Sequence, residues 1–235
     1  MRLKSLAVAS IAAISAGLTL GAASPVYAEV PDPVVTQLSD SQESEIRIDF
    51  DKYGVPEDTQ DALIDKLEAG EPLDAFDGVS EPISSNAFET EEFDSEISWF
   101  EDGSYVVSSI EKPRTGDFAA RGTVSSCSSV STSGNWGRWT NCSVTNSWAG
   151  VVKIGFIASF EKSSSYARIT NLGNVTQNCI MSCTRPDAWI IRSNQTATQA
   201  AAIQAQSTVT SPYGNSWEVW LQLRVNSNGY WTVNS

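Results

Sequence analysis

The chain has 235 residues, a formal net charge of −13 and no histidine. Without an imidazole there is no Ser-His-Asp triad, no Cys-His pair, no HExxH metalloprotease helix and no His-ligated zinc. The basic residues form no run, and the acidic half repels phosphate, so nucleic acid is excluded as a partner.

Taken in chain order, residues 1–28 read as a signal peptide. Arg2 and Lys4 give a charged start, Leu6 to Leu20 an apolar run, and Val26-Tyr27-Ala28 a small-x-small cleavage site. The apolar run is short for a membrane span, and no later stretch reaches that length. The expected location is extracellular, with no stable membrane span after cleavage. Residues 29–55 read as an acidic linker, because EVPDPVVTQLSDSQ at its start has two prolines and no periodicity.

Residues 56–112 read as an acidic helix plus hairpin. A helix is expected over 56–69: Pro56 suits a first turn, Glu57, Asp58 and Asp61 suit a helix N-terminus, and Gly70 and Pro72 stop it. Phe76 is expected to pack back on that helix, and the Ser/Glu/Asp-rich residues 78–95 to form a loop. EISWFEDGSYVVSSIE then predicts a hairpin turning at Asp102-Gly103 in a type I′ turn.

From residue 113 to 235 the pattern is that of strands. They are expected at 122–130, 139–148, 151–161, 166–175, 187–193, 198–210, 217–225 and 229–233, as an antiparallel β-sandwich or jelly roll. TQAAAIQAQST tolerates a helix but keeps a period of two, which favours a strand. In WEVWLQLRV, Trp217, Val219, Leu221, Leu223 and Val225 share one face. Glu218, Gln222 and Arg224 share the other, with Trp220 as the odd aromatic among them. The fold class is therefore mainly β, with a small acidic α+β N-terminal region.

Export favours oxidised thiols. The local pairings Cys127–Cys142 and Cys179–Cys183 are expected, the first closing a loop worth about 3 kcal/mol in the chain-entropy account. Four cysteines without a C-x-x-C spacing or a histidine make a poor zinc set. No EF-hand loop is present, so no metal and no cofactor are expected.

Charge divides sharply along the chain. Residues 29–102 hold 23 acidic and 3 basic side chains, whereas residues 103–235 hold 5 and 10. Two readings follow: the acidic half docks on the basic half as a mask or folding aid, or it is a solvated stalk.

Two sets of residues carry candidate chemistry. GNWGRWTN places Asn135, Trp136, Arg138 and Trp139 on a turn bracketed by Cys127 and Cys142. Seven of the eight tryptophans lie after residue 103. Aromatic faces stack on sugar rings and amides bond their hydroxyls; the competing role for these tryptophans is core filling. Glu161 and Glu218, at the end and start of long strands, are the candidate carboxylate pair for glycoside hydrolysis, and the competing role is solvated strand-edge charge.

YGVPEDTQDALIDKLEAGEPLDAF followed by EISWFEDGSYVVSSIEKP resembles the leader region of exported proteins of high-GC Gram-positive bacteria. GNWGRWTNCSV, KIGFIASFEK and WEVWLQLRV are similar to the β-domain of the same group. The resemblance implies secretion and a two-part plan, and assigns no catalytic residue. The expected function is that of a secreted, non-catalytic binding protein for a cell-envelope glycan or an extracellular protein. A carboxylate-dependent glycan hydrolase and a secreted toxin or inhibitor are the alternatives.

Overall fold

In a computed structural model, the structure describes residues 38–113, 127–132 and 136–235. The signal peptide, the start of the expected linker, most of the strand expected at 122–130, and Asn135 lie outside the described residues.

Helix α1 spans Asp40–Tyr53, inside the stretch expected to be linker. Its caps explain why it forms. Ser39 and Gln42 make a reciprocal capping box, and Gly54 ends the helix at φ 75°, where a side chain is disfavoured. Only Ile46 and Phe50, four apart, are buried along it. Helix α2, Glu57–Glu68, agrees with the expected 56–69, with Leu63, Ile64 and Leu67 buried. A 3-10 turn at Asp74–Phe76 follows; Phe76 packs on Trp217, with ring centroids 5.8 Å apart, so it docks on the β-domain.

Twelve strands follow among the described residues. Strands β1 (Ser84–Glu89), β2 (Phe93–Trp99) and β3 (Tyr105–Glu111) form a meander, so half of the expected loop at 78–95 is strand. The β2–β3 turn has Gly103 at φ 85°, while Asp102 is not in the left-handed region. A type I′ turn requires positive φ at both central residues. The hairpin instead closes with a glycine at the end of a longer loop, and Phe100 N–H bonds to the Ser104 carbonyl at 2.9 Å.

Strand β3 then pairs with β5 (Trp136–Trp148), which continues through β6 (Val152–Lys162) to β7 (Ala167–Cys179). Strand β4 (Ser128–Thr132) lies on the same flank of β5 as β3, beside its first half. These seven antiparallel strands form sheet A. Sheet B holds β12 (Tyr230–Asn234), β11 (Ser216–Val225) and β10 (Ala201–Thr210) in that order, with β8 (Ser182–Cys183) and β9 (Asp187–Arg192) both on the far flank of β10. The ambiguous TQAAAIQAQST is therefore strand β10 over most of its length, in register with β11 from Ala201 opposite Val225 to Thr210 opposite Ser216.

The sheets face each other through alternate residues. Val144, Trp148, Ile154, Phe156, Ala158 and Phe160 of sheet A meet Ile203, Ala205, Val219, Leu221 and Leu223 of sheet B, all buried. The other face of sheet A is partly roofed by α1: Phe50 meets Tyr105 edge-on at 6.3 Å, and Asp49 accepts the Tyr105 hydroxyl at 2.6 Å. Val35–Ser235 is accordingly one unit, with the acidic strands hydrogen-bonded into the same sheet as the basic ones.

Both expected disulfides are present. Cys127–Cys142 joins the start of β4 to β5 at an irregularity in its register between Trp139 and Cys142. Cys179–Cys183 ties β7 of sheet A to β8 of sheet B, so it links the two sheets. No described helix is long and apolar enough to cross a membrane.

Candidate functional site

Strand alternation separates the residues of GNWGRWT. Trp136 and Arg138 stand on the outer face of sheet A, with the guanidinium carbon 5.5 Å from the Trp136 ring centre. Trp139 points the other way. It stacks on Phe160 at 5.1 Å with the planes 10° apart, and meets Tyr230 edge-on at 5.4 Å. Gly137 makes this possible: a Cβ there would lie 2.7 Å from the Trp139 ring, so only glycine lets the indole fold back over its own strand. Trp136 and Trp139 therefore do not form one aromatic platform, and Trp139 packs against the core.

Arg138 has a structural partner. Glu161, opposite it on β6, is 1% exposed and is held on both sides. Its Oε1 accepts from Arg138 Nε at 2.6 Å, and its Oε2 from Arg168 Nε and Nη2, both at 2.7 Å. Arg138 Nη2 also pairs with Oε1. Burial alone would raise the Glu161 pKa, but bonds from Arg168 and Arg138 outweigh it and hold the carboxyl below its usual range. A general acid needs the opposite shift. Glu218 is exposed on the outer face of sheet B, opposite Thr208. The two glutamates thus project from opposite sides of the sandwich, and the structure does not bring them together.

The outer face of sheet B presents a different surface. Residues opposite one another in register share a face. One row runs Trp189, Gln204, Gln222, Val233 across β9, β10, β11 and β12; the next runs Ala202, Arg224, Trp231; a third holds Asp187, Gln206 and Trp220. Trp189 is 37% and Trp231 38% exposed. Between them a chain of amides is joined end to end. Arg224 Nε donates to Gln222 at 3.0 Å, Gln222 to Gln204 at 2.6 Å, and Gln204 to Gln206 at 3.1 Å. Each amide is oriented by its neighbour, which fixes the direction in which its remaining donor and acceptor sites point.

At one end this face deepens into a groove of about 650 Å³, within the range of ligand sites. The β9–β10 connection and the β11–β12 turn form its walls. Gln199, Gln222, Asn228, Arg192, Arg224 and Trp231 line it, and no carboxylate does. The turn is set by Asn226, whose side-chain oxygen accepts from the N–H groups of Asn228 and Gly229. On the opposite wall Arg192 Nη1 bonds to the Ala200 carbonyl at 2.8 Å.

The sequence carried one signal for this face: Trp220 stands among the outward polar residues of β11, where alternation calls for a polar side chain. Trp189 and Trp231 were invisible as its companions because their alignment depends on pairings between distant strands. Among the described residues, no cluster of three or more His, Cys, Asp or Glu suits a metal ion. No family model, no curated protein and no solved structure matches the chain.

Proposed function

We propose that this is an exported, non-catalytic protein that binds a cell-envelope glycan through the outer face of sheet B. One observation carries the reading: the exposed Trp231 stands beside pre-oriented amides and two arginines in a groove lined by no carboxylate. An indole face takes the apolar face of a pyranose, and amides and guanidinium groups bond its hydroxyls. Glycoside hydrolysis needs two acids flanking the bond. The groove supplies none, so the arrangement favours retention over cleavage. Two arginines without an acid also favour sugars bearing carboxylate or phosphate. Two disulfides suit an oxidising compartment, and with the N-terminal pattern and the resemblance they support export.

The test is retention on purified cell-wall polysaccharide. Trp231→Ala combined with Gln222→Ala removes a stacking face and one link of the amide chain. Its expected effect is a loss of about tenfold or more in affinity, the scale of an anchor residue. A double variant with unchanged melting temperature and full retention would refute the site.

A further inference from the structure

The opposite side of the sandwich carries a second groove of unlike character. It lies on the outer face of sheet A where α1 stops short of covering it, and holds about 620 Å³. Helix α1 contributes Asp49, Lys52 and Tyr53. The remaining lining residues cross five strands in order: Phe88 on β1, Phe93 and Ile97 on β2, Val107 on β3, Ser147 on β5 and Lys153 on β6. Four strand spacings make this floor roughly 19 Å long.

Its chemistry changes along that length. The β1–β2 end is aromatic and aliphatic, with Phe88 and Phe93 only half-buried. The hydroxyls of the middle are partly satisfied from within, since Ser95 and Ser109 bond each other at 2.8 Å. Asp49, the one lining carboxylate, accepts the Tyr105 hydroxyl. Two ammonium groups thus line the groove, Lys153 at its β6 end and Lys52 from α1, which also lies 4.7 Å from the centre of the Tyr53 ring, against one carboxylate already engaged.

We propose that this groove binds a single-chain anionic amphiphile, an acyl carboxylate, with its tail over Phe93 and Phe88 and its carboxylate toward Lys52 and Lys153. A graded floor of this kind matches a ligand that is apolar along its body and charged at one end. The sheet B groove, lined by amides, has no comparable apolar end. This site is independent of the glycan reading and stands or falls separately from it.

Calorimetric titration of the intact protein with octanoate and dodecanoate, below their micellar concentrations, tests the proposal. Dodecanoate is expected to bind more tightly than octanoate, each methylene adding up to about fourfold. Lys52→Gln/Lys153→Gln is expected to weaken dodecanoate about tenfold, and being at the surface it leaves the fold intact. Phe88→Ser, on the edge strand, should weaken dodecanoate and leave octanoate nearly unchanged, because the shorter chain stops short of β1. Trp231→Ala should change neither. Equal affinity for dodecylammonium and dodecanoate, affinity independent of chain length, or no heat with dodecanoate at about 1 mM would each overturn the proposal.

Discussion

The two outer faces of the sandwich are built by the same alternation and meet different fates. On sheet A, Tyr105 points outward and is nonetheless buried, because Phe50 and Tyr53 of α1 pack on its ring. On sheet B, the outward residues of β10 and β11 are mostly polar, Gln, Thr, Glu and Arg with Trp220 and Ala202 among them, and no described element covers them. The strands carry the difference in their sequences. YVV at the start of β3 is apolar on consecutive residues, as a strand buried on both faces must be, whereas WEVWLQLRV alternates with Trp220 as its one exception, as a half-exposed strand does. A roofed face contributes stability, and an open face with exposed tryptophans is free to bind.

The most decisive way to break this comparison is to cut the chain between its acidic and basic halves. If the acidic half were only a charged mask, trypsin cleavage between β3 and β4, at Arg114 or Arg121, would let the fragments part once salt screens their attraction. Because β3 pairs with β5 and Phe76 docks on Trp217, the cleaved protein should instead elute as one species in gel filtration at both low and high salt, separating only in denaturant. Separation in 1 M salt would show that the roof is held by charge alone.

Next in size is the roof's own contribution. Phe50 is fully buried against Tyr105, so Phe50→Ala should cost about 3–5 kcal/mol, read as a lower urea midpoint. Trp231→Ala, on the open face, should stay within about 0.5 kcal/mol of the parent while losing glycan retention. Equal losses of stability at the two sites would remove the distinction between the faces. The disulfides rank below Phe50. Replacing Cys127 and Cys142 by Ser should cost about 3 kcal/mol and replacing Cys179 and Cys183 about 2 kcal/mol, since the second closes a shorter loop. A larger loss from the second pair would mean that its link between the sheets outweighs loop entropy.

Which elements were legible follows from the range of the forces involved. Helix α2, β6, β10, β11 and both disulfides depend on periodicity, capping or short loops, and all were readable. Helix α1 was not, because Ile46 and Phe50 are its only buried side chains and the acids around them resemble linker composition. Its capping box at Ser39 and Gln42 was the local signal that would have revealed it. Strand β1 was missed for a related reason: Ser84 to Ala87 are all exposed, and its pairing with β2 supplies what its side chains do not. At the sites, the sequence singled out aromatic residues but could not tell faces apart. Trp136 and Trp139 are neighbours in sequence and point apart, while Trp189 and Trp231 are distant in sequence and share a face. Likewise Glu161 could be named as an acid, but Arg138 and Arg168 reach it only through the register of three strands.

That cross-strand trio gives the smallest expected effect, and its pH dependence tests whether the outer face of sheet A is structural at this end. The folded-state pKa of Glu161 lies below its ordinary value of 4.5, since bonds from the two arginines overcome the opposing effect of burial. A group depressed in this way binds its proton more readily when unfolded. It therefore stabilises the fold above the unfolded pKa, and that stability is lost as pH falls through the folded value. Glu161→Gln should thus be less stable than the parent at pH 7, by about 1 kcal/mol given that both arginines are half-exposed. The gap should narrow below pH 4.5 and vanish once the parent's own carboxyl is protonated. Urea midpoints of both proteins between pH 7 and pH 3 would measure it. A constant difference across that range would mean that the charge of Glu161 contributes nothing and that the arginines are held by packing alone.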